Sequence, residues 1–389
     1  MKVDIKNITL SLVILAMNFA EAQPQDSLDY NLLQNPYIQI EATEAINSMY
    51  NFEFTKSKNH FNYLKKQYPW HPLPYLLISL NYWWRIVPNY ENEEWDNEFL
   101  AYMDTTQRLA KRLYKEYNEI EGAFFLAAAY GFEGRLYSER GWYRKAAVAG
   151  KNSLKYLKYT RGHEAYSPEM LFGDALFNYY SEWIRENYPL LRPLMWVFPE
   201  GDKEKGIEQL KEVARNAFYS RTEAQYYLMR LLATEENDIR GAIQVAQYLN
   251  KSFPKNAYFD RYYMRLLYQS GRYGQAEKIA QKMLVKIDSG QVGYEDNSGR
   301  YATFYLGHIN EIRRNYAPAK EYYKLSMKYA EQVGAEKKGY YFYSLLHLGR
   351  IAEKEAQLEL ARSYFKQVKK IAERKHAARK EAIRRLKKL

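Results

Sequence analysis

The sequence predicts an all-α fold, a solenoid of antiparallel helix pairs, and three observations carry that reading. Segments 230–254 and 265–284 resemble one another, with Ala242 and Ala276 34 residues apart, a period that belongs to stacked helix–turn–helix units. Cysteine is absent, so no disulfide framework, thiolate metal site or catalytic thiol organises the chain. The balance of 47% hydrophobic and 27% charged residues allows a large core, and in an array that core is shared by neighbouring units rather than divided among compact domains.

The chain opens with Lys2 and Lys6, a mostly apolar run from Ile8 to Ala20, and Ala20-Glu21-Ala22. This is the order of a secretory signal peptide, so 1–22 is expected to be removed after Ala22, leaving Gln23 first. Thr9, Ser11 and Asn18 interrupt the run, which is short for a membrane span of roughly 20 apolar residues. The mature chain is therefore expected to lack a transmembrane span and to be periplasmic or peripherally associated with an outer membrane. An extended segment, 23–36, leads into the array, 37–372. Insertions are expected near 87–98, which is acidic and aromatic, near 188–199, whose three prolines forbid a continuous helix, and near 288–299, which is rich in turn residues. A basic helix, 373–389, closes the chain.

Within the array a small residue opens each second helix, a small or bulky apolar residue follows four on, and another apolar residue three further. Ala242, Ala246, Leu249 and Pro254 make one copy, and Ala276, Ala280 and Met283, after Gly271-Arg272-Tyr273, the next. Gly134, Tyr137, Gly141 and Ala146 fit a third, Gly307, Tyr316, Ala319 and Tyr323 a fourth, and Gly349, Ala361, Phe365 and Val368 a fifth. Weaker copies start near Ala45 and Gly201. This frame resembles the tetratricopeptide-repeat (TPR) family over roughly 37–372. The resemblance implies a right-handed superhelix of about six to seven repeats with irregular insertions. The order of parts also resembles exported bacterial TPR proteins of unassigned role.

The resemblance further implies that the first helix of each pair lines a concave groove. Counted in that frame, the groove column is Arg135, Arg265, His308 and Arg350, with Tyr227, Arg261, Tyr262, Tyr268, Tyr301, Phe304, Tyr305, Tyr343 and His347 beside it. Guanidinium forks bind carboxylates through two bonds at a time, and Tyr gives rigid contact area. The expected partner is thus a protein or extended peptide bearing acidic groups or a C-terminal carboxylate. The bland reading is that the Arg side chains bridge acids on neighbouring repeats.

Net charge is +12, and much of it lies in the tail: Lys369, Lys370, Arg374, Lys375, Arg379, Lys380, Arg384, Arg385, Lys387 and Lys388. Such a helix either caps the array or adheres to an anionic envelope surface. Export argues against nucleic acid. No HExxH zinc-protease pattern, phosphate-binding glycine loop, GxSxG elbow or EF-hand loop is present, so no catalytic residue, metal site or cofactor is expected. The leading function is an exported scaffold or adaptor. Two others compete with it: a glycan or small-molecule binder in a Tyr/Trp-rich groove, with or without weak hydrolase activity, and a self-assembling structural component of the envelope.

Overall fold

The computed structural model describes residues 30–187, 189, 192 and 199–389. The expected signal peptide and most of the 188–199 insertion lie outside the described residues. The helices are α1 (Pro36–Tyr50), α2 (Phe54–Gln67), α3 (Pro72–Ile86), α4 (Asp96–Glu116), α5 (Glu119–Glu139), α6 (Tyr143–Leu157), α7 (Met170–Asn187), α8 (Lys203–Asn216) and α9 (Arg221–Thr234). They continue as α10 (Ile239–Ser252), α11 (Ala257–Gln269), α12 (Tyr273–Asp288), α13 (Asp296–Ile312), α14 (Tyr316–Gln332), α15 (Gly339–Lys354), α16 (Leu358–Ile371) and α17 (Ala377–Leu386). No strand occurs among the described residues.

Local signals set the helix ends. The Asn35, Asn118, Asp202, Asp238 and Asn256 side chains accept hydrogen bonds from first-turn amides, relieving donors that the helix cannot pair internally. Gly141 and Gly271, at φ 72° and 76°, occupy the left-handed region that glycine tolerates, and turn the chain out of α5 and α11.

Each helix packs against the next across a short connection, which makes successive helices antiparallel hairpins. The exception is α6 and α7, which are held apart. Odd and even helices form two layers. The even helices bury one narrow stripe: α12 buries Ala276, Ala280 and Met283, and α16 buries Ala361, Phe365 and Val368, at the spacing of a single helical face. The odd helices from α3 to α15 bury a broader face, most of all α3, where Trp83 and Trp84 are both fully enclosed. Small residues fix the spacing between layers, Gly307 lying under the Tyr323 ring and Gly349 under Phe365.

The array curls until its first units meet its middle ones. Asn256 Nδ2 donates to the Tyr50 carbonyl at 2.7 Å, Lys255 pairs with Glu53 at 2.7 Å, and Trp84 Nε1 donates to Glu223 at 3.2 Å. The odd helices α1, α3 and α5 therefore face α9, α11 and α13 and form the inner layer. The 87–95 connection fills the space between them. The Pro88 carbonyl accepts from Arg261 Nη2 at 2.6 Å and from Asn297 Nδ2 at 2.7 Å. The carbonyls of Tyr90 and Asn92 accept from Arg140, which also grips Asp96 at 2.6 Å. Residues 31–34 form a turn rather than extended chain, because Leu33 N donates to the buried Glu121 carboxylate at 2.9 Å.

At the other end, α16 stops at Ile371 and α17 begins at Ala377, folding back with Ala378 and Ala382 buried. No helix among the described residues is long and apolar enough to cross a membrane.

Candidate functional site

The expected groove residues separate into three groups. Arg135, Tyr227, Arg261 and Tyr262 lie inside the molecule. Arg135 Nη1 donates to the Tyr227 hydroxyl at 2.6 Å, and its Nη2 donates to Tyr226 at 2.6 Å and Tyr90 at 3.2 Å. Its guanidinium stacks 4.8 Å over Trp83 and sits 3.5 Å from Glu223. Only 14% of the Arg135 side chain is exposed, too little for a partner to reach. Burial pushes the Glu223 carboxyl up, while Arg135 works against that shift. At Tyr226 burial acts upward too, but Arg135 and Arg230 outweigh it and lower the phenol. Arg261 is occupied by Ser298 Oγ at 2.9 Å and by the Pro88 carbonyl. The acceptors that occupy these cations, on α9, α13 and the 87–95 connection, all belong to the chain itself.

Arg350 forms the second group. Its Nη2 is 2.6 Å from both carboxylate oxygens of Glu381 on α17. It ties the last helix to the array. Arg265 stands between the groups, its guanidinium 4.3 Å over the Tyr262 ring and its Nε buried with no hydrogen-bond partner.

The third group converges. Tyr268 (α11), Tyr301, Phe304, Tyr305 and His308 (α13), and Tyr343 and His347 (α15) all line one open depression of about 660 Å³, together with Arg300, Lys338, Tyr340 and Glu91. The helical period explains the convergence, since 301, 304, 305 and 308 share one face of α13. Phe304 packs edge to face on Tyr340 at 4.8 Å, and Tyr301 lies tilted against Tyr340 at 4.7 Å between centroids. The Tyr305 and Tyr340 hydroxyls are 3.0 Å apart. Arg300 lies 5.0 Å over Tyr301, and Lys338 pairs with Glu91 at 2.9 Å across the rim.

Beneath these rings sits a polar group. His347 Nδ1 donates to Glu311 Oε2 at 2.6 Å, Tyr323 donates to the same oxygen at 2.8 Å, and Tyr268 shares a hydrogen bond with His308 Nδ1. Burial, and then the neighbouring His347, brings His308 down to about 4, so its imidazole is neutral at neutral pH. Burial works upward on Glu311, but the His347 and Tyr323 hydrogen bonds outweigh it and hold the carboxyl below the usual range. Sequence reasoning assigned His308 and His347 to the groove and missed Glu311. The available signal was His308-x-x-Glu311, three residues apart on one helix face.

No protein-family model matches the chain, nor does any curated protein. Among solved structures, human IFIT1 as a dimer with PPP-AAAA is similar at 14% identity and a TM-score of 0.44, covering 81% of this chain and 67% of that one. The C-terminal part of a TPR repeat-containing protein from Cytophaga hutchinsonii is similar at 14% identity and a TM-score of 0.36, covering 74% of this chain and 94% of that one. At these scores neither says anything about a ligand for this chain.

A second hollow, of about 400 Å³, lies between the α5–α6 hairpin and α7 and is lined by Ala127, Gly131, Gly150, Leu157, Gly173 and Phe177 among others. Its wall is almost wholly apolar. Arg135 and Tyr227 reach it, but both are already bonded to each other.

Among the tail cations, Arg385 pairs with Glu353 and with Glu381, and Arg379 donates to the Ala372 carbonyl at 3.1 Å. Lys369, Lys370, Arg374, Lys375, Lys380, Arg384, Lys387 and Lys388 are exposed.

Proposed function

We propose that this chain is an exported scaffold that holds a segment of a partner protein in the aromatic depression of α11, α13 and α15. One observation carries this reading. The Tyr and His side chains of the inner layer converge on a single open hollow there, while the same layer is filled upstream by the chain's own 87–95 segment. Rigid aromatic walls bind at low cost in side-chain entropy. The exposed rim cation Lys338, paired with Glu91 at 2.9 Å, suits a segment bearing a carboxylate that displaces Glu91. Export rests on the basic and apolar order of residues 1–22.

A display library of peptides with free C-termini, selected on the purified chain, tests this. Enrichment of peptides that pair an acidic group or terminal carboxylate with an apolar residue is expected, and Tyr301→Ala with Tyr343→Ala should weaken them about tenfold or more. Failure to enrich any peptide, or enrichment indifferent to both substitutions, would remove the reading. Rings of this kind also stack on sugar faces. A glycan array probed with the same two proteins distinguishes that alternative.

A further inference from the structure

The floor of the depression carries a group of donors that peptide recognition does not require. His308 and Glu311 share a face of α13, and His347 reaches them from α15. One donor atom from each lies within 4.8 Å of the other two, and the two imidazole centroids are 4.6 Å apart. We propose that His308, Glu311 and His347 bind a first-row divalent cation, zinc above all, with a further coordination position open to the depression.

Two imidazoles and one carboxylate are a donor set that zinc and its neighbours accept, and three protein ligands leave room for a fourth from water or a ligand. Ligand atoms around a tetrahedral zinc stand about 3.3 Å apart. His347 Nδ1 and Glu311 Oε2 are 2.6 Å apart and all three donors lie within 4.8 Å of one another, so side-chain rotations of about an ångström bring them to that span. A cation would take the place of the proton that His347 Nδ1 shares with Glu311. Groups outside the three already orient them. Tyr323 donates to Glu311, and Tyr268 engages Nδ1 of His308, which leaves Nε2 as that ring's remaining donor atom. The His347 and Glu311 side chains are 8% and 10% exposed, so the donors are held rather than floppy. His308 and His347 both line the hollow, which supplies the entry path. Lys354, with Nζ 4.0 Å from Glu311 and its side chain 53% exposed, has room to swing away as a cation enters.

Titrating the full-length chain, stripped with a chelator, with zinc chloride and cobalt chloride tests the site. One zinc per chain is expected at micromolar affinity or tighter, and cobalt should give the intense visible bands of four- or five-coordination. His308→Asn should weaken zinc by more than about 100-fold, whereas His60→Asn, on α2, which packs on α1 and α3, should leave it unchanged. Glu311→Gln is a second probe. Because it also replaces the carboxylate shared by Tyr323 and His347 with a neutral amide, the decisive variant is His308→Asn, whose imidazole carries no ion pair. Absence of stoichiometric zinc binding, or binding that survives His308→Asn, would overturn the proposal. Peptide selection and metal titration fail independently, so the fate of one reading does not decide the other.

Discussion

Arg135 of α5 donates to the hydroxyl of Tyr227 on α9 at 2.6 Å, across 92 positions of sequence. The bond closes the inner layer on itself and buries a guanidinium beside the Glu223 carboxylate, whose own neighbours are Trp84 and Tyr50. Removing one side of such a pair leaves the other buried without compensation. Arg135→Met should therefore destabilise the chain by about 3–5 kcal/mol, read as a shift in the urea midpoint. Adding Glu223→Gln should restore part of the loss, because the stranded carboxylate goes with it. A loss under about 1 kcal/mol for Arg135→Met would mean that the bond does not hold the closure.

The parts of this fold that were legible in the sequence are those encoded within one repeat. Gly307, Ala319 and Tyr323, or Gly349, Ala361 and Phe365, recur because two helices can approach closely only where one contributes a small residue. Closure was not legible. Lys255 meets Glu53 across 202 positions, and no periodicity announces which units will meet after a full curl. For the same reason Arg135 and Arg261 read as ligands for a partner, when their acceptors lie within the chain: Tyr226 and Tyr227 of α9 with Tyr90 of the insertion for Arg135, and Ser298 with the Pro88 carbonyl for Arg261. The sequence shows that cations line the inner face, but not what already occupies it. The donor group at the floor was half legible, with His308 and Glu311 sharing a helix and His347 standing 36 positions from Glu311, on the next inner helix.

A Cβ placed on Gly349 would lie 2.5 Å from the nearest carbon of the Phe365 ring. Gly349→Ala should cost about 1–3 kcal/mol through overpacking, even though alanine is the better helix former. Phe365→Leu should cost stability alone yet relieve the Gly349→Ala variant, so the two changes will be strongly non-additive in thermal or urea unfolding. Simple additivity would show that the layers separate without strain.

The Arg350–Glu381 fork should make docking of α17 sensitive to acid. Burial works to raise the Glu381 carboxyl, but Arg350 and Arg385 outweigh it and hold it below its ordinary 4.5. A depressed carboxylate contributes stability above its unfolded value and loses it as pH falls through the folded one. Amide exchange in α17 should therefore speed up below about pH 4.5, ahead of α13 and α15. Arg350→Ala should produce the same selective exposure at neutral pH, at a cost of about 1 kcal/mol. Uniform exchange across all three helices would place the anchoring of α17 elsewhere, on Ala378 and Ala382.

The exposed tail cations give a prediction that separates adhesion from mere capping. Lys369, Lys370, Arg374, Lys375, Lys380, Arg384, Lys387 and Lys388 all face solvent, and each such charge near an anionic surface contributes about 1 kcal/mol. Vesicles containing phosphatidylglycerol should sediment the chain at low salt and release it as salt screens the field. Replacing Lys380, Arg384, Lys387 and Lys388 by Gln should abolish sedimentation and leave the unfolding midpoint unchanged, since only Arg384 among them approaches an acid, Glu381 at 3.9 Å. Loss of stability in that variant, with no vesicle binding in the parent, would make the tail a cap and nothing more.

The 87–95 segment invites the most direct test of what the inner cations are for. Its Pro88 carbonyl is held by Arg261 and Asn297, its Tyr90 hydroxyl by Arg135, and its Glu91 by Lys338. It occupies the inner layer as a bound peptide would. A chain in which 89–94 is replaced by a glycine–serine linker should lose stability while keeping its helical content, because α3 packs on α4 and α4 on α5 outside the loop. A synthetic peptide of sequence 87–95, added in trans, should then raise the melting temperature of the linker variant and leave the parent unaffected, as mass action on a vacated site requires. A peptide that stabilises both proteins equally, or neither, would show that the loop is bystander packing and that Arg135 and Arg261 serve closure alone.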